Sequence, residues 1–358
     1  MKPRRPKSRL ATALLMIGAL ATVIAGCGAR SGSGNGATVT VYSSGGLGAW
    51  YRTQFDAFTR DTGIKVTLFE AGSGEVVSRL NSGAVWDRLD GQPVPPADLV
   101  VTLPPFIQKA EKAGLLQPSD ADTTGIPAEL IGPGGDYVPI VKTALCFIAH
   151  PSVNPKPVNW QDLLAPRFKG KLQYSTPGEA GDGTALLLLL QHLMGKQGAL
   201  DYLAKLAPNN VGPASSTASL QPKVSSGELL IANGDIQMNL AAVNNDGAKL
   251  DVFFPAMPDS SRTTVSMPFF AGITATAPRP EDAKRLLAHL LGDEAQKDVY
   301  TRAFGIPVRD SIALATGGQA GPTTPIGALA GVTLWTPDWN AVLTELEGDI
   351  AAYRKAVG

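Results

Sequence analysis

The sequence predicts an α/β fold in which mostly parallel sheets are flanked by helices, divided between two domains of ordinary size. Three observations carry that expectation. Between Thr38 and Gly114, short apolar runs alternate with amphipathic helical runs. That order builds a mostly parallel sheet with helices on both faces. Each predicted strand ends in a turn of Ser, Thr or Gly, and in open α/β sheets ligands bind at those carboxyl ends. Finally, 358 residues are enough for two cores.

The chain opens on Lys2, Arg4, Arg5, Lys7 and Arg9, with no acid, followed by a small, apolar run from Leu10 to Gly26. A basic segment followed by an apolar one is an export signal. The run is shorter than the roughly 20 residues that span a bilayer. Its end, Ile24-Ala-Gly-Cys27, resembles a bacterial lipobox. That resemblance implies a signal peptide over 1–26, cleavage before Cys27 and a lipid (palmitate) on that cysteine. It places the exported protein on the outer face of the cell membrane. Residues 27–37 are the lipidated cysteine and a Gly/Ser-rich tether. Cys146 is then the one other cysteine and has no partner for an internal disulfide; a free buried thiol is expected.

After the tether, Thr38–Tyr42 reads as a buried strand and Ser43-Ser-Gly-Gly46 as the turn into a helix. Leu47, Trp50, Tyr51, Phe55 and Phe58 form one face of that helix, and Gly63 stops it. Ile64–Phe69 is a second strand. Its end, Glu70-Ala-Gly-Ser-Gly-Glu75, opens the helix from Val76 to Leu80. Residues 82–96, with Pro93, Pro95 and Pro96, read as a surface insertion. Ala97–Thr102 is the third strand, and Pro104–Ala113 the third helix.

Tyr137–His150 is a long apolar run suited to crossing between domains. A second α/β block follows from Trp160. It includes the strand Glu228–Asp235, further strands at Leu250–Pro255 and Thr264–Ala277, and amphipathic helices at Pro280–Leu291, Glu294–Ala303 and Trp339–Ala356. The Leu-rich run Ala185–Met194 is a core helix, too short for a membrane span.

Before that helix stands Ser175-Thr-Pro-Gly-Glu-Ala-Gly-Asp-Gly-Thr184, a strand-to-helix turn. Glycines let the backbone approach a ligand, and the first helical turn leaves N–H groups that favour an anion. A plain reading is also open, with Asp182 or Thr184 simply capping the helix. The spacing Gly178-x4-Gly183-Thr184 echoes a nucleotide P-loop but lacks its lysine.

Several stretches together are similar to bacterial extracellular solute-binding proteins of ABC importers. They are Val41-Tyr-Ser-Ser44, Phe55–Ile64, Ala97–Val101, Lys109–Leu116, Asn159-Trp-Gln-Asp-Leu163 and Phe168-Lys-Gly-Lys171. Within that superfamily the chain resembles the ferric-ion and phosphonate branch. Gly72-Ser-Gly-Glu-Val76, Val101–Gln108, Asn210-Val-Gly-Pro213 and Ala232–Asn239 look like members named for 2-aminoethylphosphonate binding. The resemblance implies a two-lobed, type II periplasmic-binding-protein-like fold that closes on its ligand like a hinge. Lobe one would comprise about 38–140 and 275–358, and lobe two about 141–274, with the cleft between them. It also implies an importer permease as partner.

The chemistry points the same way. Five of the 31 lysines and arginines precede Cys27, leaving 26 against 31 acids, a net of about −5. That is no footprint for nucleic acid. His150, His192 and His289 show no metal-ligand spacing, and there is no Gly-x-Ser-x-Gly nucleophile turn. The chain therefore reads as a monomeric binder, not an enzyme, with no cofactor and no metal. Ferric-binding relatives use adjacent tyrosines in lobe two, where this chain has Asn233-Gly-Asp-Ile-Gln-Met-Asn239. A sugar or phosphate ester stays open, with Trp160 and Tyr174 as available aromatics. The favoured cargo is a small organophosphonate, 2-aminoethylphosphonate above all. Its expected anion cradle is Ser44, Gly45, Ser73, Gly74 and Thr102 from lobe one, with Ser175, Gly183, Thr184 and Ser216 from lobe two. Its ammonium would take a carboxylate, Asp235 first and Glu75 second.

Overall fold

A computed structural model of the protein describes residues 36–82, 94–316 and 321–358. The signal segment, Cys27 and nearly all of the tether lie outside them, as do residues 83–93 of the expected insertion.

Two sheets anchor two lobes. The first is six-stranded and follows the predicted alternation: β1 (Thr38–Ser44), α1 (Gly48–Thr62), β2 (Lys65–Ala71), α2 (Ser73–Ser82), β3 (Leu99–Thr102), α3 (Phe106–Lys112) and β4 (Leu116–Gln117), then β5 (Tyr137–Val141). The second is four-stranded, built from β6 (Leu145–Ala149), β7 (Leu172–Gln173), β8 (Ile231–Asp235) and β9 (Asp251–Phe253). Between β7 and β8 lie α4 (Gly181–Leu206) and α5 (Leu220–Ser225), and α6 (Ile236–Asp246) follows β8 directly. Next come β10 (Thr263–Val265) and β11 (Phe269–Thr274). The chain ends with α7 (Pro280–Leu291), α8 (Asp293–Asp298), α9 (Asp310–Thr316), α10 (Pro325–Ala328), β12 (Thr333–Trp335) and α11 (Trp339–Val357).

The first sheet runs β2-β1-β3-β11-β4, with β5 also on β11. The second runs β7-β8-β6-β9. Each has one strand opposed to the rest: β11 is antiparallel to β3, β4 and β5, and β6 is antiparallel to β8 and β9. The apolar runs are explained by burial: every residue of β3, β5, β6, β8 and β11 is buried. The Leu-rich run forms the first part of α4, buried from Ala185 to Leu190. Gly195, at φ +74°, breaks α4 where the sequence predicted the run would stop.

Two short segments that lead out of and back into the first sheet lie side by side. The first is Lys142–Ala144, between β5 and β6. The second is Ser266–Pro268, between β10 and β11. Ala144 and Ser266 form an antiparallel bridge, and the Met267 N–H donates to the Thr143 carbonyl at 2.8 Å. The return comes earlier than the expected boundary at 274/275, because Phe269–Thr274 is buried throughout and fills the first sheet between β3 and β5.

The segment 275–358 is also not confined to one lobe. α7 packs on α1 and β11 of the first, but β12 pairs with β10, and α11 lies against both α3 and α4. Lys196 of α4 reaches Glu345 at 2.6 Å and Asp349 at 2.7 Å on α11. The Tyr353 hydroxyl donates to that of Tyr174 at 3.2 Å.

Candidate functional site

The carboxyl ends of the strands meet where the lobes face each other. From the first lobe, β1 delivers Ser44 and Gly45, and β2 delivers Gly72 and Ser73 at the start of α2. From the second, the Gly-rich turn delivers Asp182 in the first turn of α4, and β8 delivers Asp235 at the start of α6. Ser216 and Thr217 complete the second wall. These residues line a tight cavity of about 20 Å³, close to the minimum that admits a water molecule. In this arrangement the cavity has no room for a solute larger than water. A larger, open concavity of about 600 Å³ lies farther along the cleft, beside Glu75, Lys109 and Glu179. The small cavity is the better candidate, because buried polar atoms without partners sit in its walls.

The lobes are in direct contact around it. The Gly74 N–H donates to the Glu179 carbonyl at 3.0 Å. Gln237 Nε2 donates to the carbonyls of Gly46 and Ala303, each at 2.8 Å. A Cβ on Gly72 would overlap the Ser215 carbonyl oxygen, and one on Gly181 would stand 2.8 Å from the Leu103 side chain. Two glycines thus permit an approach that alanine would obstruct.

The polar inventory is unusual for a buried place. Ser44 is 3% exposed and its Oγ has no hydrogen-bond partner. Asp182 is 4% exposed and its Oδ1 has none. Asp235, 1% exposed, is the N-cap of α6; its Oδ1 accepts from the Met238 N–H at 2.8 Å and from Thr143 Oγ1 at 3.2 Å. Burial pushes the Asp182 carboxyl up to about 6. Burial first, and then repulsion from Asp182, push Asp235 up to about 8. Burial raises the thiol of Cys146 well above its usual range, and both carboxylates add to that. Among the described residues lining the cavity there is no lysine, arginine or histidine. Three helices of ten residues or more, α2, α4 and α6, begin at its walls, but the first N–H groups of α6 are taken, Ile236 by the Ala144 carbonyl, Gln237 by Thr143 Oγ1 and Met238 by Asp235 Oδ1, so an anion would look to the starts of α2 and α4.

Of the eleven residues expected to touch ligand, Ser44, Gly45, Ser73, Ser216 and Asp235 line the cavity. The other six do not. Thr102 Oγ1 donates to the Ser73 carbonyl at 3.3 Å. Ser175 is engaged with the Asn233 side chain, its N–H donating to Oδ1 at 2.8 Å, and its Oγ accepts from Thr217 at 2.9 Å. Thr184 Oγ1 accepts from the Gly178 N–H and donates to the Ala180 carbonyl, both at 2.9 Å. Gly183 packs on the Ser175 carbonyl, where no Cβ fits. Gly74 has its N–H on Glu179, as described. Glu75 pairs with Arg79 one turn along α2, at 2.6 Å, on a partly exposed face. Several of the expected hydroxyl and N–H groups are thus bonded within the fold, and five of the eleven expected residues line the cavity.

Two further polar residues that the sequence did not single out as ligand contacts, Asp182 and Thr217, also line the cavity. Asp182 was visible in the Gly-rich turn, with capping by it or by Thr184 as one of two open readings. The N-cap is instead Ala180, without a side-chain hydrogen bond, which leaves Asp182 facing the cleft. The histidines stand elsewhere: His192 stacks on Trp335 at 4.1 Å, His150 bonds Ser152 at 2.7 Å, and His289 packs near Phe58. Trp160 is buried among Phe147 and Tyr202, and Tyr174 against Tyr353, so neither offers an open sugar platform.

Comparison with known proteins was made against this geometry. The profile of a family described as bacterial extracellular solute-binding protein matches residues 39–299. A periplasmic protein of Salmonella typhimurium, provisionally named for 2-aminoethylphosphonate binding, is 41% identical over 88% of this chain and 91% of its own length. Among solved structures, a periplasmic binding protein from Actinobacillus pleuropneumoniae with exogenous fructose-6-phosphate bound has a TM-score of 0.74 at 18% identity. It covers 90% of this chain and 99% of its own. The apo ferric ion-binding protein A of Pasteurella haemolytica has a TM-score of 0.67 at 18% identity, over 89% and 97%. At such identities the solved structures establish the type II periplasmic-binding fold and nothing about cargo.

Proposed function

The chain belongs to the bacterial extracellular solute-binding proteins, and from that premise we propose that it captures a small zwitterionic phosphonate, 2-aminoethylphosphonate or a close relative, between its lobes. One observation carries this reading. The cavity combines buried carboxylates, an unpartnered Ser44 hydroxyl and the starts of α2 and α4, with no fixed cation among the described residues that line it. A purely anionic solute would meet Asp182 and Asp235 unneutralised, and buried charges need partners. A solute with one ammonium and one oxyanion satisfies both halves. Its oxyanion would take donors from Ser44, Ser73, Ser216 and the first turn of α2. Its ammonium would take Asp235. The name of the Salmonella typhimurium relative agrees with this cargo.

The protein binds and releases its cargo without altering it, handing it to the permease of an ABC importer. It works as a monomer, tethered by a lipid on Cys27 to the outer face of the cell membrane. Iron fits the cavity poorly: among the described residues no tyrosine lines it, and no group of three or more His, Cys, Asp or Glu side chains is placed to hold a metal ion.

A thermal-shift panel on residues 28–358 tests the cargo, since a solute that binds only the folded state raises its stability. 2-Aminoethylphosphonate should raise the melting temperature and be recovered unchanged. A shift given by ferric ion or a sugar phosphate, and by no phosphonate, would overturn the assignment.

A further inference from the structure

We infer that Asp182 and Asp235 together hold one exchangeable proton in the closed, empty cleft, and that the ammonium of a zwitterionic cargo takes that proton's place. The inference rests on the zwitterion reading above. It adds Asp182 as a specificity residue and makes proton release part of binding.

The geometry leads there first. Both carboxylates come from the second lobe, Asp182 from the start of α4 and Asp235 from the start of α6, and both line the cavity. Among the described residues neither forms an ion pair. Asp235 Oδ1 is held by Met238 and Thr143, whereas Asp182 Oδ1 is buried with no partner. An orphan carboxylate oxygen beside a second buried carboxylate is costly when both are charged. Closing the first lobe over them removes the water that would otherwise screen them.

The groups facing the pair do not supply a counter-charge. From β6 comes Cys146, whose thiol is held neutral by burial and by the two carboxylates. From the turn before α5 comes Thr217, and from α6 the N–H of Met238. The first lobe brings Ser44, Ser73 and, at the end of β2, Glu70, whose Oε1 lies 4.0 Å from a Cβ built on Gly45. Glu70 is itself raised, chiefly by burial, with Arg52 opposing. One negative charge can remain in such a place, and the second must be neutralised by a proton or a cation. The ammonium is that cation. When it enters, the shared proton leaves for solvent and the N–H bonds of the cargo stay intact.

This predicts that uptake strengthens as pH rises. One proton released makes the affinity up to about tenfold tighter per pH unit. Calorimetry with 2-aminoethylphosphonate, repeated in buffers of different ionisation heat, counts the protons directly. The wild type should release close to one more proton than Asp182→Asn near neutral pH, and the variant's affinity should change less with pH. Taking the difference cancels the titration of the phosphonate itself. Equal proton counts in two proteins that both bind would overturn the inference and leave the cargo assignment standing. A wild type that binds no aminophosphonate would overturn the cargo assignment, and this inference with it. Should Asp182→Asn fail to fold, the wild type alone decides. Its release must fade above about pH 9, where the pair is already ionised, and a count that stays level there would refute the shared proton.

Discussion

Asp235→Asn separates the charge of this residue from its role as a cap. Asp235 Oδ1 accepts from the Met238 N–H and from Thr143 Oγ1. Asparagine offers a carbonyl oxygen for both bonds and caps helices as well as aspartate does, so the start of α6 should survive. What is lost is a negative charge on a side chain 1% exposed. Removing the partner of a desolvated, hydrogen-bonded charge costs about 2–5 kcal/mol, or roughly 30-fold or more in affinity. The lower end is expected here, because Asp182 still faces the ammonium. Without cargo the sign reverses. The Asp235 carboxyl is raised to about 8 in the fold, so its ionised form weakens the fold at neutral pH. The variant should melt no lower than wild type at pH 7. Calorimetry with 2-aminoethylphosphonate and with ethylphosphonate, which lacks the amine, provides the assay. Selective loss of the aminophosphonate is the expected result. Equal loss of both, or a large drop in melting temperature, would refute the reasoning and return Asp235 to a structural role.

Three further outcomes follow from the same geometry. Gly72→Ala should disfavour the closed arrangement and weaken cargo binding by about 5-fold or more, since its Cβ would strike the Ser215 carbonyl where the lobes meet. X-ray scattering should then show an incompletely closed form with cargo, and wild-type compaction would count against it. Both Asp182 and Asp235 are raised above the ordinary carboxylate value, so their stabilising contribution is full below about pH 4 and is lost progressively as pH rises from there, through about 6 for Asp182 and about 8 for Asp235. The decline in melting temperature across that range should be shallower in Asp182→Asn than in wild type. Cys27→Ser should move the protein from membrane to soluble fractions and block cleavage of the signal. Unchanged fractionation and processing would exclude the lipid anchor.

The alternation of strands and helices was readable from Thr38 onward because each element's apolar period matched its burial. β1, β3 and α1 lie where the runs predicted them. Strand ends were readable for the same reason, which is how Ser44, Ser73, Ser216 and Asp235 could be placed at the cleft. What was hidden is how each polar group is already engaged. Ser175 sits at a strand end like Ser44, but Asn233, 58 positions away, holds its N–H. Glu75 resembled Asp235 as a carboxylate after a strand, yet Arg79 stands one helical turn further on and takes it. Such pairings are fixed by register between β7 and β8 or by helical spacing, and only the second kind is local enough to see in a sequence. The return crossing was misplaced because Thr264–Ala277 reads as one strand, whereas Ser266–Pro268 divides it between two sheets. The reach of α11 across both lobes depends on Lys196, Glu345 and Asp349, whose separation of about 150 residues leaves no local trace.

The distribution of polar groups between the lobes suggests why closure would require the right cargo. The unpartnered hydroxyl of Ser44, together with Ser73 and the start of α2, belongs to the first lobe. Both carboxylates belong to the second. On the proposed reading, an alkylphosphonate can satisfy the first wall while leaving Asp182 and Asp235 facing each other, so it gains little from the lobes shutting. A simple amine satisfies the second wall and leaves Ser44 buried without a partner. A zwitterion alone neutralises one wall and bonds the other. A ligand shifts a two-state equilibrium only by its difference in affinity for the two states. A cargo whose two charged ends must meet on opposite lobes has most of its binding energy in the closed state, and selectivity and closure then arise from the same contacts.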